Sequence, residues 1–320
     1  MRVFVTGAAG RLGRVLLPAL LGDPRVAGVV AHDLRWRAPV QHPRLTILSG
    51  DIRDAGWCKQ AARCDVLVHM AFVVIESHLG RRRHDRALAH AINMGGMKNA
   101  IAAARAAGAR LIHLSSASVY GGTIQVACED DPLRPPAGFG YAHDKRDAEA
   151  LIVEAQAHGL HAVRLRPHII LGPHAQPFLR ALLRAPFYAQ LTPPPLLQLV
   201  HEDDVVDAIL LSLETPLQGP VNLATEDALS FEAMQRLWHA HPMGLPPSIA
   251  RAALRFSFRV LGIGPHPAWS EALGQSLVVS TALARNRLRW QPRCPTVRSV
   301  LQHLDRPAPR PDTVPGSSAA

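Results

Sequence analysis

The chain has 320 residues, and 48% of them are hydrophobic, which allows a large buried core and excludes a disordered protein. The formal net charge is +10, from 35 Lys and Arg against 25 Asp and Glu. A basic balance can indicate nucleic-acid binding, but the arginines are scattered and no nucleic-acid motif occurs, so we expect no nucleic-acid partner. We also expect no signal peptide and no membrane span, since no apolar run reaches roughly 18 residues.

The reactive side chains do not form the pattern of a metal site. The four cysteines, Cys58, Cys64, Cys128 and Cys294, have no Cys-x-x-Cys spacing, which is typical of free thiols in a reducing cytoplasm. The 17 histidines include no His-x-x-x-His pair on a clear helix face with a carboxylate. The sequence therefore predicts a cytoplasmic protein without a bound metal ion.

A glycine-rich turn near the N-terminus organises the rest of the chain. The apolar run at 2–5 predicts a strand, and a helix is predicted over 11–21. Between them, Gly7 allows a tight turn, Gly10 lets backbone N–H groups approach a pyrophosphate, and Gly13 lets the helix pack near the strand. The helix N-terminus adds free N–H donors and a partial positive charge. This strand, turn and helix predict a dinucleotide-binding site.

An acidic residue about 20 positions later follows the second predicted strand, at 26–31. Asp33 lies where a carboxylate accepts hydrogen bonds from the ribose hydroxyls of the adenosine. It would also repel a 2′-phosphate, which favours NAD over NADP. Arg35 and Arg37 are close enough in sequence to accommodate that phosphate, so NADP is not excluded.

Strands and helices then alternate regularly. Strands are predicted at 45–48, 65–71, 111–114 and 161–166, and helices at 87–107 and 141–158. This alternation predicts an α/β fold with a doubly wound parallel sheet of the Rossmann type. Asp51, which follows the third strand, would face the ligand crevice at the carboxyl edge of that sheet. The arginine-rich stretch at 76–85 is interpreted as a solvated loop, with contact to an anionic substrate as the alternative.

The alternation ends after residue 173, and this sets the predicted domain boundaries. We predict a dinucleotide-binding domain over 1–173, to which 197–225 returns. The Pro- and Leu-rich stretch 174–196 and residues 226–304 would form a smaller, mainly helical substrate lobe. Residues 305–320, rich in Pro, Ser, Gly and Ala, are expected to be a disordered tail.

Three polar residues give the predicted site its chemistry. Tyr141 and Lys145 lie four positions apart, on one face of a predicted helix. A free tyrosine has a pKa of about 10, which a neighbouring ammonium and the positive nicotinamide ring would lower. Tyr141 would then remove or return a hydroxyl proton during hydride transfer, and Ser116 would hydrogen-bond the same substrate oxygen. Lys145 would also bind the nicotinamide ribose. Without the other motifs, the Tyr141 and Lys145 pair would be an ordinary helix pair.

Together these motifs resemble those of the extended short-chain dehydrogenase/reductases, the NAD-dependent epimerase/dehydratase family. The resemblance covers roughly 1–304. It rests on ordered motifs: Thr6-Gly7-x-x-Gly10-x-x-Gly13, Asp33, Asp51-Ile52, Asn93, Ser116-x-x-x-Tyr120-Gly121 and Tyr141-x-x-x-Lys145. The resemblance implies that Asn93 places the active-site backbone and a water. It also implies the residues that contact the cofactor: Gly7, Ala9, Gly10, Arg11, Leu12, Gly13, Asp33, Asp51, Ile52, Met70, Ala71, Phe72, Asn93, Tyr141, Lys145, Pro167 and His168.

Departures from the family pattern narrow the expected substrate. The stretch Ser116-Ala117-Ser118 stands where nucleotide-sugar dehydratases carry Thr-Asp-Glu, so 4,6-dehydration is not expected. Ile169 replaces an asparagine, and no arginine opens the strand near Leu197; both groups normally hold a nucleotide diphosphate. Apolar side chains of the small lobe suggest a pocket for a hydrophobic, hydroxysteroid-like alcohol or ketone, although they could simply be core. They are Leu182, Leu183, Phe187, Leu191, Leu196 and Leu199.

The leading interpretation is therefore an NAD(P)-dependent oxidoreductase that transfers hydride between nicotinamide and a secondary alcohol or ketone. Two alternatives stay open. A nucleotide-sugar 4-epimerase would use the same fold, with hydride returning to the opposite face. A non-catalytic NAD(P)-binding regulator would have no chemical need for the complete set Ser116, Tyr141 and Lys145. The resemblance also implies a possible homodimer through the helices at 87–107 and 141–157.

Overall fold

The structure is a computed structural model, and it describes residues 1–36, 41–74, 85–239, 241–256, 258, 260 and 266–308. The strands are β1 (Arg2–Thr6), β2 (Gly28–Asp33), β3 (Leu45–Ser49), β4 (Val66–His69), β5 (Arg110–Leu114), β6 (Ala162–Pro167), β7 (Ile169–Leu171), β8 (Phe187–Ala189), β9 (Leu199–His201), β10 (Gly219–Leu223) and β11 (Met243–Leu245). The helices are α1 (Gly13–Gly22), α2 (Cys58–Ala61), α3 (Arg86–Ala107), α4 (Gly140–Ala157), α5 (Pro177–Leu183), α6 (Glu202–Ser212), α7 (Phe231–Gln235), α8 (Pro247–Phe256), α9 (Trp269–Leu273), α10 (Ala282–Arg287) and α11 (Val297–Gln302).

Seven parallel strands form the central sheet, in the order β10-β6-β5-β4-β1-β2-β3. Helices α1 and α6 cover one face, and α2, α3 and α4 cover the other, with a separate apolar core under each layer. A parallel sheet that is covered on both sides favours apolar strands, and β4 and β6 are buried along their whole length, although β6 also carries the buried Arg164 and Arg166. The predicted doubly wound Rossmann sheet is confirmed.

The strand order reverses between β1 and β4, because β1 pairs with β2 on one side and with β4 on the other. Thr6 is in register with His32 of β2 and with His69 of β4. Because ligands of open α/β sheets bind outside the carboxyl ends of the strands at such a point, the crevice lies just beyond Thr6. The glycine-rich turn begins at the next residue.

The predicted helix at 87–107 corresponds closely to α3. Asp85 caps its N-terminus, with the side chain accepting from the Leu88 amide at 2.9 Å, and Gly108 ends it with φ of 62°. Within the predicted returning segment 197–225, β10 joins the central sheet, as expected. Strand β9 does not; it pairs with β7 in a separate two-stranded sheet.

The domain boundaries differ from the prediction at two places. Leu288 and Trp290, assigned to the substrate lobe, pack into the core beneath α1 and α6, and the Trp290 indole donates to the Asp204 carbonyl at 2.8 Å. Asp305 and Ala308, assigned to the tail, are held in place. Asp305 pairs with two arginines of the small lobe, and the Ala308 amide donates to the Asp203 carboxylate at 2.7 Å. Residues 309–320 lie outside the described part.

The arginine-rich stretch predicted at 76–85 lies outside the described residues except for Asp85. Within the described ranges, no helix has both the length and the apolar character required to cross a bilayer. The same part of the chain brings no three His, Cys, Asp or Glu side chains together as metal ligands.

Candidate active site

The glycine turn forms a tight cradle that fits a dinucleotide. Gly7 has φ of 71°, and a Cβ there would lie 2.6 Å from the Ala71 amide nitrogen. A Cβ at Gly13 would overlap the Ala8 carbonyl, so α1 starts against the turn only because this residue is glycine. Among the described residues, the backbone amides of Arg11 and Leu12 at this helix start have no hydrogen-bond acceptor. Such free donors are suited to a pyrophosphate.

The Asp33 carboxylate lies at the end of β2 beside the cradle. One oxygen accepts from the Ala9 amide at 2.9 Å, and the other accepts from the Leu34 amide at 2.7 Å. The side chain is therefore held over the turn, with lone pairs left for ribose hydroxyls. Arg35 is exposed nearby, and Arg37 lies outside the described residues.

Asp51 and Ile52 follow β3 on the same edge of the sheet. The Arg53 guanidinium binds the Asp51 carboxylate at 2.6 Å, and this hydrogen bond holds the pKa of that carboxyl below its usual range. Ile52 is buried against Gly96 of α3, where a Cβ would lie 2.9 Å from the Ile52 side chain. Ile52 therefore fixes this loop on α3, while the Asp51 carboxylate already has a partner of its own.

The loop after β4 runs from the cradle to the predicted catalytic residues. The Met70 amide donates to the Thr6 carbonyl at 3.2 Å, and the Ala71 amide donates to the Thr6 hydroxyl at 3.3 Å. Phe72 then turns inward, and its ring packs edge-on against Tyr141 with a centroid distance of 5.9 Å. The loop thus connects the cofactor cradle to Tyr141.

Ser116, Tyr141 and Lys145 lie together at the carboxyl end of β5. Ser116 caps a 3₁₀ turn at Ala117–Tyr120, and its hydroxyl hydrogen-bonds the Ser118 hydroxyl at 2.9 Å. It also lies close enough to the Tyr141 phenol to lower the pKa of that phenol. Lys145, one turn along α4, is buried; its ammonium donates to the Leu114 carbonyl and lies 3.5 Å from the centroid of the Phe72 ring. The three residue types required for proton transfer to a bound hydroxyl or carbonyl are therefore adjacent.

The electrostatics of this group differ from the sequence prediction. Burial raises the pKa of Tyr141 to about 12, and the nearby Ser116 side chain opposes this only in part. Lys145 was expected to lower the Tyr141 pKa, but its ammonium is directed to Leu114 instead. Burial lowers the pKa of Lys145 itself to about 7, against the opposing charges of Glu149 and Asp144. The protein's own groups therefore keep the Tyr141 phenol protonated at neutral pH.

The lowered pKa of Lys145 predicts a pH-dependent cost to stability. The unfolded lysine has a pKa of 10.5 and the folded one of about 7, so between these values the unfolded chain binds more protons and stability rises with pH. We expect Lys145→Met to remove this slope. The free energy of unfolding of the variant minus that of wild type should therefore be larger at pH about 7.5 than at pH about 9.5, by on the order of 2 kcal/mol. Chemical denaturation at both pH values measures the difference. The exposed Lys98→Met variant is the control, and an equal difference for both variants would contradict the assignment.

A buried carboxylate between the two catalytic positions was not predicted from the sequence. Asp144 accepts from both terminal nitrogens of Arg86, and also bonds His90 at 2.7 Å and the Asn93 amide at 2.9 Å. Burial would raise the pKa of Asp144, but these hydrogen bonds outweigh it and hold the pKa below its usual range. Asn93 also exchanges hydrogen bonds with both backbone groups of Val73. Asn93 and Asp144 thus fix the loop after β4 to α4.

A second buried ion pair lies beneath Ser116. Glu149 accepts two hydrogen bonds from Arg166, at 2.9 and 2.6 Å, and one from the Ser115 hydroxyl at 2.5 Å. Arg166 also donates to the Tyr120 hydroxyl at 2.6 Å. The pair therefore joins α4, β6 and the turn that carries Ser116. Its signal in the sequence is weak: Glu149 lies four residues after Lys145 on the same helix face.

Pro167 and His168 end β6 opposite the cradle. The His168 ring uses both nitrogens, since Nδ1 accepts from the Ile169 amide at 2.9 Å and Nε2 donates to the Leu277 carbonyl at 3.0 Å. Burial lowers the pKa of His168 to about 4, so the ring is neutral. With both nitrogens occupied, His168 can meet a nicotinamide only through its ring surface.

Buried aromatic side chains that the sequence analysis did not single out pack in a row next to Tyr141. Phe139 lies 5.6 Å from the Tyr141 ring, Trp269 lies 5.1 Å from Phe139, and Phe178 lies 4.9 Å from Trp269. Of the apolar residues suggested as pocket, Leu183 is buried in core and Phe187 is exposed. The apolar side chains next to Tyr141 are therefore other residues than those suggested from the sequence, because the start of α4, helix α5 and helix α9 supply them.

A model of the NAD dependent epimerase/dehydratase family matches residues 3–224. The chain belongs to this family, which confirms the family predicted from the motifs and the NAD dependence that defines it. It is 34% identical over 191 residues to a 3 beta-hydroxysteroid dehydrogenase/Delta 5-->4-isomerase of Mycobacterium tuberculosis, over 58% of this chain and 51% of that protein. The chain thus spans about half the length of that relative.

Two further proteins are similar over more of their length. A ceramide reductase of Caulobacter vibrioides is 29% identical over 264 residues, which cover 78% of this chain and 73% of that protein. The structure of MoeE5 in complex with UDP-glucose and NAD has a TM-score of 0.72 and 24% identity, over 95% of this chain and 97% of that one. The second likeness shows the same fold.

Proposed function

We propose that this protein is an NAD(P)-dependent oxidoreductase that transfers hydride between nicotinamide and a secondary alcohol or ketone. The observation that carries the proposal is the group Ser116, Tyr141 and Lys145, in which Ser116 acts on the Tyr141 phenol and Phe72, from the loop that leaves the cradle, packs against both Tyr141 and Lys145. A regulator that only binds a dinucleotide would not need a proton donor placed beside the cradle. The same site residues predicted from the motifs therefore form the proposed active site.

The proton chemistry follows from the state of Tyr141. A phenol with a pKa of about 12 is protonated at neutral pH, so it can give its proton to a carbonyl oxygen as hydride reaches the carbonyl carbon. Ser116 would donate a hydrogen bond to the same oxygen and stabilise its developing charge. The bound dinucleotide supplies or accepts the hydride. In the oxidation direction the phenolate removes the hydroxyl proton, which requires positive charge from Lys145 or the oxidised ring.

NAD would be held by the free amides of Arg11 and Leu12 at its pyrophosphate and by Asp33 at its adenosine ribose. We expect Asp33→Ala to weaken NAD binding roughly ten-fold and to weaken NADP binding less, because the variant also loses the repulsion of a 2′-phosphate. Titration of both dinucleotides by calorimetry measures the ratio. Asp33→Asn, which can still accept from the Ala9 amide, separates charge from support of the turn, and the exposed Asp54→Ala is the control. Equal losses for NAD and NADP would contradict the choice of NAD.

We further propose a hydrophobic substrate of the hydroxysteroid or long-chain type. Phe139, Phe178 and Trp269 make the wall next to Tyr141 apolar, and an apolar wall favours an apolar ligand. Ile169 and the buried Leu197 offer no polar side chain to a nucleotide diphosphate. The names of the hydroxysteroid dehydrogenase and ceramide reductase relatives, both of which act on lipids, support this class.

Steady-state assays with NADH or NADPH separate the proposal from its alternative, a nucleotide-sugar 4-epimerase. Steroid and long-chain ketones should be reduced with loss of absorbance at the nicotinamide band, whereas UDP- and dTDP-sugars should be unchanged. Interconversion of a nucleotide sugar without net oxidation would instead establish the epimerase. The proposed site of action is the cytoplasm, consistent with the four free cysteines. A homodimer through α3 and α4 also remains a proposal.

A further inference from the structure

We propose that α8 and its neighbours dock on the surface of an anionic lipid bilayer. Helix α8 (Pro247–Phe256) lies on the small lobe against β8, and none of its residues is fully buried. At 100° per residue, Ile249 and Phe256 share one face, whereas Arg251 and Arg255 share a face on the other side. The helix is therefore amphipathic, yet its apolar face is not used to pack against the described protein.

The apolar face is exposed to an unusual degree for large side chains. The exposed fractions are 55% for Ile249, 57% for Phe256 and 64% for Val260, which follows α8. Phe187 of β8 and Met243 of β11, which pair across the two-stranded sheet beside α8, are exposed by 46% and 59%. Isolated exposed apolar residues need no explanation, but a group on adjoining elements marks an interaction surface.

The positive charge of this region indicates an anionic partner. From residue 233 to residue 270 the sequence has four arginines and no aspartate or glutamate. Arg251 and Arg255 are exposed, and neither forms an ion pair with any residue that the structure describes. An apolar helix face combined with unpaired arginines is the pattern of helices that lie in the interface of an anionic bilayer. A surface with the same charge but without an apolar face would instead indicate a soluble acidic partner.

The docking surface adjoins the proposed substrate pocket. Phe258, just past α8, packs edge-on against His266 at 5.0 Å, and Trp269 three residues later packs against Phe139 beside Tyr141. Docking would thus bring the aromatic wall of the pocket close to the bilayer, where hydrophobic alcohols and ketones partition. This last step rests on the proposed function, whereas docking itself does not.

Sedimentation with sucrose-loaded vesicles tests the proposal on the full chain without an activity assay. We expect binding to phosphatidylcholine vesicles that contain about one quarter phosphatidylglycerol, little binding to pure phosphatidylcholine, and weaker binding when NaCl rises from about 0.1 M to about 0.5 M. The double variant Ile249→Ser/Phe256→Ser should lower the partition coefficient at least about ten-fold. Arg251→Gln/Arg255→Gln should lower it by about ten-fold or more and remove the preference for anionic lipid.

Matched controls come from exposed residues outside α8, β8 and β11. Ile124→Ser removes a fully exposed isoleucine, and Lys59→Gln/Arg63→Gln removes two exposed charges from the α2 region. Both should bind vesicles like wild type, and thermal melting checks that every variant folds. The proposal is overturned if wild-type protein does not sediment with anionic vesicles, or if the α8 variants bind them as wild type does. If wild type is a dimer that does not bind vesicles, and the Ile249→Ser/Phe256→Ser variant is a monomer, the surface would instead belong to an interface with a second copy of the chain.

Discussion

Replacing Tyr141 by Phe is expected to lower kcat about 10³-fold or more, because the variant keeps the ring packing but has no proton to donate. Phe72 and Phe139 contact the Tyr141 ring and not its hydroxyl, so the fold and the cradle should be unchanged. NAD affinity should therefore stay within about two-fold of wild type. Turnover of a ketone substrate and calorimetric titration of NAD measure the two quantities.

Tyr188→Phe is the matched control for this prediction. Tyr188 lies in β8, away from the cradle, and the same single oxygen is removed. Its kcat should equal that of wild type. Full activity of the Tyr141→Phe variant would remove Tyr141 from the mechanism, and loss of NAD binding would mean that its hydroxyl supports the fold of the cradle instead.

Replacing Arg166 by Leu is expected to destabilise the protein by about 3–5 kcal/mol, since it leaves the Glu149 carboxylate buried with one main partner removed. Glu149 and Arg166 are 2% and 3% exposed, so solvent cannot replace the lost hydrogen bonds. Arg164 approaches the same carboxylate at 3.3 Å and compensates only in part. Urea denaturation measures the change, and a decrease in melting temperature of roughly 10 °C is expected with it.

The double variant Arg166→Leu/Glu149→Gln tests the physical cause. If the cost comes from an unpaired buried charge, then neutralising Glu149 should recover a measurable part of the lost stability. Arg146→Leu is the control, because its ion pair with Asp147 is solvent-exposed on the same helix and should contribute less than about 1 kcal/mol. Equal losses for the Arg166 and Arg146 variants would show that burial of the pair is not what stabilises it.

The cofactor cradle could be predicted from the sequence because its requirements are local. Gly7 is needed for its positive φ, and Gly10 and Gly13 are needed because a Cβ would meet backbone atoms at most five residues earlier in the chain. The alternation of apolar runs likewise predicted the sheet, since a parallel sheet that is covered on both faces favours apolar strands. The glycine geometry and the parallel sheet agree with the structure.

The surroundings of Tyr141 could not be predicted in the same way. Phe139, Phe178 and Trp269 come from three distant stretches, and only folding brings them to one pocket. The sequence also predicted a lowered pKa for Tyr141, whereas in the protein without its cofactor burial raises that pKa. Sequence spacing placed Lys145 on the same helix face, but whether its ammonium turns to Tyr141 or to the Leu114 carbonyl depends on the end of β5.

The sequence by itself determined the family, the doubly wound sheet and the position of the glycine-rich turn, because glycine spacing and apolar periodicity record constraints between near neighbours. The tertiary structure alone decided which buried groups neutralise each other, as in the Glu149 and Arg166 pair, and where the substrate lobe ends. Trp290 shows where the predicted lobe boundary fails. It lies within the segment 226–304 that was assigned to the substrate lobe, yet it packs in the core beneath α6, where its indole donates to the Asp204 carbonyl. Burial and partner choice are properties of distances between elements, and those distances exist only after the chain has folded.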